Sequence, residues 1–151
     1  TLAAKRAGFD GLIVPDVPLE ESGELRSAAS DAGLTLSLLI SPTTSAKRAE
    51  EIAKASTGFV YVLARAGITG ERSEVPDMQP VVARLRAVTQ LPIAVGFGIS
   101  TADQIRAVVR HADAAIVGST LVRRIDESFK NRQDPVQAAR AMVASLAAGL
   151  A

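Results

Sequence analysis

Five continuous apolar runs recur at intervals of roughly 25 residues, with helix-like stretches between them. They span residues 11–14, 34–40, 59–63, 92–95 and 114–117. Most are unbroken rather than alternating, which is the pattern of strands buried on both faces in a parallel sheet covered by helices. A repeated βα pattern leaves two architectures open, a doubly wound sheet or a (β/α)8 barrel. A full barrel takes about 250 residues, and the 151 residues here hold about five units of the eight. The stretch from Thr1 to Gly8 reads as the last turns of a helix ending at glycine, with no initiator Met. The expectation is therefore one α/β domain over residues 1–151, a partial TIM barrel holding strands four to eight and lacking the first three units.

The segments between the runs carry specific punctuation. A helix is expected over residues 20–32, stopped by Gly33. Thr44 or Ser45 caps a helix running to Ala55, and Asp77 caps one over residues 78–88 with Pro80 in its first turn. Ser100 to Asp103 fits a capping box ahead of Ile105, Val108 and Val109. Two helices follow the last run. The first is a short amphipathic one over residues 121–129. The second starts at Asp134-Pro135 and places Val136, Ala139, Val143 and Leu146 on one face.

Active sites of both architectures lie at the carboxyl ends of parallel strands, so the residues after each run are the ones to read. Gly96-Phe97-Gly98-Ile99-Ser100 follows the fourth run, and Gly118-Ser119-Thr120 follows the fifth. Amides at a helix start lack internal partners and carry partial positive charge. Glycines let an anion reach them without meeting a Cβ. These two loops and the extra helix therefore point to phosphate, with Phe97 as an apolar wall suited to an aromatic substrate. The alternative is that Gly96, Gly98 and Gly118 only shape turns. A dinucleotide-binding reading fits less well, because Thr101 stands where a third glycine belongs and no ribose-binding acid follows about 20 residues on. The loop over residues 65–76 is long for a compact unit and reads as a lid, with Gly67 and Gly70 as hinges and Thr69 aimed into the site. Its bland version is a solvated loop, preferred for Arg65, Glu71 and Glu74. Asp16, at a strand end, could be an acid, base or positioning group, or simply cap a turn. Pro15 and Pro18 stiffen a rim that could be a docking edge. Tyr61 sits mid-strand and by default packs in the core.

Composition narrows the chemistry. Lys and Arg number 17 against 16 Asp and Glu, and one Tyr, four Phe and no Trp are available for stacking, which argues against nucleic-acid binding. There is no cysteine, so thiolate chemistry and disulfides are excluded and a cytoplasmic setting is compatible. No run approaches the roughly 20 residues of a membrane span, and no signal-peptide pattern opens the chain. His111 is the single histidine, which disfavours a His-based metal site and reads as a loop or helix-end residue.

Four stretches, LIVPDVPLEES (12–22), FVYVLARAGITGER (59–72), PIAVGFGIST (92–101) and AAIVGSTLV (114–122), resemble the tryptophan synthase alpha chain family in order and spacing. The resemblance implies a (β/α)8 barrel and a cytoplasmic lyase of tryptophan biosynthesis. Its reaction is retro-aldol cleavage of indole-3-glycerol phosphate to indole and glyceraldehyde 3-phosphate, without metal or organic cofactor. It places the phosphate site on Gly70, Gly98, Gly118 and Ser119, and the substrate wall on Gly96 and Phe97. Thr69 matches the lid threonine that pairs with a catalytic aspartate, and Tyr61 the tyrosine near the catalytic glutamate. Asp16, Val17 and Pro18 match an edge facing the beta chain, which carries pyridoxal phosphate in an α2β2 heterotetramer and takes up the indole. The family's catalytic Glu and Asp belong to the second βα unit and are expected upstream of Thr1, so the 151 residues alone are expected to be inactive. An open arc with two unpaired edges is also expected to associate or dissolve poorly. The alternatives are another phosphosugar barrel, isomerase or epimerase, and a non-catalytic assembly fragment.

Overall fold

The computed structural model describes residues 1–64, 76–96 and 98–151. After a short first helix, α1 (Leu2–Arg6), the strands and helices are β1 (Gly11–Ile13), α2 (Gly23–Asp31), β2 (Thr35–Ser37), β3 (Leu39–Ile40) and α3 (Ala46–Ala55). Then come β4 (Val60–Leu63), α4 (Gln79–Arg86), β5 (Ile93–Gly96), α5 (Ala102–Val109), β6 (Ala114–Ile116), α6 (Ser119–Lys130) and α7 (Pro135–Ala147). Each of the five apolar runs contributes a strand, and two helices follow the last one.

All strand pairs are parallel. β1 pairs with β2, and β3, β4, β5 and β6 pair in that order. β2 and β3 are halves of one extended segment, broken at Leu38. There Ser56 Oγ accepts from Leu38 N at 3.2 Å, and Thr57 Oγ1 accepts from Leu36 N at 2.9 Å. These hydroxyls complete the ladder where the chain leaving α3 has not yet entered β4. The strand order follows the sequence without reversal. A doubly wound sheet would reverse at a switch point, so the described arc winds one way, as a barrel does.

Burial separates the two faces of this arc. Leu36, Leu38, Ile40, Val60, Val62, Ile93 and Val95 are buried in one cluster with Ala49, Ile52, Val82, Leu85, Ile105 and Val108 of the helices. The alternate positions Leu39, Tyr61, Leu63 and Ile116 are only half-buried, and Ile13 is exposed. Continuous apolar runs had implied strands covered on both faces. Among the described residues only the helix-facing side is fully covered, and the concave side is partly open.

Several boundaries depart from the sequence expectation. The helix expected over residues 20–32 divides into a 3-10 turn, Leu19–Glu21, and α2. The break sits at Ser22, whose buried hydroxyl donates to Leu19 O at 2.7 Å instead of capping α2. Gly33 ends the helix at φ +65 as expected. Of the two candidate caps for α3, Ser45 is the one used. Asp77 Oδ1 accepts from Gln79 N at 2.9 Å, while Met78 occupies the cap position of α4. On α7, Leu146 is buried, but Val136 and Val143 are exposed; Ala138 turns inward in their place.

Candidate functional site

The carboxyl end of β5 turns at Gly98, whose φ of +84 suits glycine. Ile99 beyond it is buried and anchors the turn in the core. α5 then begins with a capping box, which lies one residue later than the Ser100–Asp103 pattern suggested. Thr101 Oγ1 accepts from Gln104 N at 3.2 Å. The Gln104 side-chain oxygen accepts from Ser100 N at 2.7 Å, Ser100 Oγ at 3.2 Å and Thr101 N at 3.2 Å. The amides of Ser100, Thr101 and Gln104 at the start of α5 are thus taken up by its own residues.

The start of α6 is built differently. Gly118 is its cap residue and provides no side-chain hydrogen bond. A Cβ at Gly118 would meet nothing within 4 Å. Ser119 and Thr120 are the first helical residues, where amides have no acceptor within the helix. Ser119 is exposed. Thr120 Oγ1 donates to Ile99 O at 3.4 Å, which ties this first turn to the β5 loop. The structure therefore brings Gly98, Gly118 and Ser119 to one place, beside an uncapped helix start able to bind an anion through backbone amides.

Gly96 has a second explanation. A Cβ there would stand 2.4 Å from Tyr61 Oη and 2.8 Å from its Cζ. The group that requires glycine at Gly96 is thus the phenol of Tyr61, one strand away on the same concave face. Burial pushes the Tyr61 hydroxyl above its ordinary pKa, so at neutral pH it carries its proton and can donate. The Tyr61 ring lies 6.4 Å from that of Phe59.

Asp16, Val17 and Pro18 line a cavity of about 310 Å³ together with Leu39, Leu63 and Arg48. Leu39 and Leu63 belong to the concave face, so the β1 rim opens directly toward the sheet interior. Glu20, just after the rim, accepts both Arg48 Nη1 and Arg48 Nη2, the latter at 2.7 Å. That pairing holds the Glu20 carboxyl at about 2, below its usual value. Sequence reading missed Leu39, Leu63 and the Glu20–Arg48 clamp. Leu63 was within reach, since it stands two residues after Tyr61 and so shares its face. Arg48 was not, because its partner lies on a different element. Gln104 was missed by one position of register.

Thr69, Gly70 and Phe97, with the lid itself, lie outside the described residues. Among the described residues, Asp16 is the only carboxylate in the five positions that follow a strand's carboxyl end. His111 is exposed at the far end of α5, away from these loops. Among the described residues no three His, Asp or Glu side chains are grouped to hold a metal ion, and no helix is long and apolar enough to cross a membrane.

Residues 1–150 match the family model described as tryptophan synthase alpha chain. The tryptophan synthase alpha chain of Acaryochloris marina is 49% identical over 124 residues, covering 81% of this chain and 46% of the relative. Among solved structures, tryptophan synthase subunit alpha from Legionella pneumophila superposes with a TM-score of 0.83 at 33% identity, covering 97% of this chain and 54% of that one. A structure of the tryptophan synthase α2β2 complex from Pyrococcus furiosus matches with a TM-score of 0.81 at 30% identity, covering 99% of this chain and 59% of that one. The chain spans about half the length of the curated relatives it matches.

Proposed function

The chain belongs to the tryptophan synthase alpha chain family, and on that premise we propose that the complete protein carrying it is the alpha-subunit lyase of tryptophan biosynthesis. Its substrate is indole-3-glycerol phosphate, and its products are indole and glyceraldehyde 3-phosphate. The observation that carries this reading is the uncapped start of α6 set against the Gly98 turn. Gly98, Gly118 and Ser119, with Gly70, form the phosphate site, and Gly96 and Phe97 form the wall for the indole. Phosphate held far from the bond that breaks orients the substrate and lowers the entropic barrier.

Tyr61 and Thr69 act beside the reacting end. Breaking the C–C bond needs a proton at indole C3 and removal of the side-chain hydroxyl proton. Two carboxylates with separated pKa values divide that work without metal or organic cofactor. By family membership these carboxylates belong to the second unit of the barrel, upstream of residues 1–151, which form the carboxyl-terminal part of a single domain. The rim of Asp16, Val17 and Pro18 faces a pyridoxal-phosphate-bearing beta chain, in keeping with the complex named for the Pyrococcus relative. The setting is the cytoplasm.

The test is an indole-release assay of the complete protein with its beta chain. Indole should form from indole-3-glycerol phosphate, and inorganic phosphate should inhibit competitively. Residues 1–151 alone should show no turnover. Isomerisation of a pentose phosphate without indole release would reject the reading in favour of another phosphosugar barrel.

A further inference from the structure

We propose that Gln104 is a positioning residue for the anion cradle, holding the Gly98–Thr101 turn at its working distance from the start of α6. The inference rests on the phosphate-binding reading above. Gln104 is 6% exposed, an uncommon place for an amide side chain unless its groups are satisfied. An amide oxygen has two lone pairs, and this one collects three donors, from Ser100 N, Ser100 Oγ and Thr101 N.

The distribution of those bonds is informative. The glutamine of a simple capping box reaches back to the amide of the cap residue. Here that residue is Thr101, and its bond is 3.2 Å. The shorter bond, at 2.7 Å, goes to Ser100, which lies outside the helix and inside the turn. Gln104 thus grips the loop as well as the helix. One residue earlier, the carbonyl of Ile99 accepts from Thr120 Oγ1 in the first turn of α6. A continuous strut therefore runs from Gln104 through Ser100 and Ile99 to Thr120. It sets the spacing between the two loops that would enclose the phosphate. Binding groups held loosely lose much of their effect.

The test uses the complete protein and two variants. Gln104→Met keeps the side-chain length and removes the acceptor. Asp134→Ala removes a cap of similar kind from α7, where Asp134 Oδ1 accepts from Val136 N at 2.8 Å. Both should lower the Tm by a few degrees, about the size expected for one lost cap. Only Gln104→Met should raise KM for the phosphorylated substrate, and Kd for inorganic phosphate, by about tenfold with kcat changed less than about twofold, the mark of lost uniform binding. Wild-type phosphate affinity in Gln104→Met, or an equal loss in Asp134→Ala, would overturn the inference, since the bond would then serve helix stability alone. If the wild-type protein itself shows no competitive binding of inorganic phosphate, the phosphate reading fails and the role of Gln104 falls with it. Should Gln104→Met not fold, Thr120→Val reads the strut from its other end. There a KM rise of about threefold supports the inference, and an unchanged KM overturns it.

Discussion

The starts of α5 and α6 are neighbours at the carboxyl edge of the sheet, tied by the Thr120–Ile99 bond. α5 is closed by its own residues, with the Thr101 hydroxyl on Gln104 N and the Gln104 side chain on Ser100 and Thr101. Packing closes it further. Gly149, in the 3-10 turn Ala148–Leu150, lies so near the first turn of α5 that an added Cβ would stand 2.2 Å from Ala102 O. Arg106 Nη2 donates to Ala148 O at 3.0 Å across the same junction. Among the described residues α6 has no such closure at its head, where Gly118 caps it without a side chain and faces open space. Two helix starts with the same electrostatics are thus finished differently. Where the protein satisfies the amides itself, the dipole stabilises the fold; where it leaves them bare, they are available to an anion.

That contrast breaks most sharply at Gly118. Gly118→Asp places a carboxylate at the proposed phosphate position, and like charges about 4 Å apart repel by roughly 4 kcal/mol at an effective dielectric near 20. Affinity for inorganic phosphate should fall by at least about 100-fold while the Tm moves by only a few degrees, because no atom lies within 4 Å of the new Cβ. Calorimetric titration beside a melting curve checks both halves, and retained phosphate binding would remove the distinction between the two helix starts.

Gly149→Ala sharpens the other side. The carbonyl it would strike is backbone and cannot swing away, so the substitution should cost about 1–3 kcal/mol in denaturant unfolding. Phosphate affinity, measured on the folded variant, should fall far less than in Gly118→Asp. A variant as stable as the wild type would show that the α5 junction is looser than its packing.

The smallest effect is expected at Asp113, at the opposite end of β6. Its Oδ2 accepts from Ile93 N at 2.7 Å and also from Arg86. The Ile93 amide first, then Arg86, holds the Asp113 carboxyl below its ordinary value. The folded state therefore binds fewer protons here than the unfolded chain. The stabilisation is complete above the unfolded value near 4 and is lost as pH falls through the lower folded value. Asp113→Asn should cost less than about 1 kcal/mol at pH 7, given the exposure of the pair, and the difference from wild type should shrink as pH falls below about 4. Phosphate binding should not change. A penalty that grows as pH falls would reverse the assignment.

Much of this was legible in the chain. The five apolar runs mark the six strands, the second run supplying both β2 and β3, because each is short, rich in β-branched and aliphatic residues, and bounded by turn signals. The placement of Gly98, Gly118 and Ser119 after strand ends was legible because each loop follows an apolar run and precedes a capped or amphipathic helix pattern. The helix details were less so. Ser100 and Thr101 are both competent caps, and only the packing of Ile99 and Gln104 selects Thr101. Val136 and Val143 share a face by spacing, but spacing does not say which way that face turns. In the structure Ala138 and Leu146 are the buried residues of α7 instead. Gly96 was read as making room for a visitor, and the visitor seen in the structure is Tyr61, from a strand that ends about 30 residues earlier.

The sequence by itself determined the βα repeat, the parallel strands and the two glycine loops that follow β5 and β6. These depend on local conformational preference and on the period of the apolar residues, both written along the chain. Tertiary structure alone decided that the strands wind in one direction, that Tyr61 claims the space at Gly96, and that α5 is closed while α6 stays open. Each of those depends on which atoms from distant segments meet, and contacts of that kind carry no local signature.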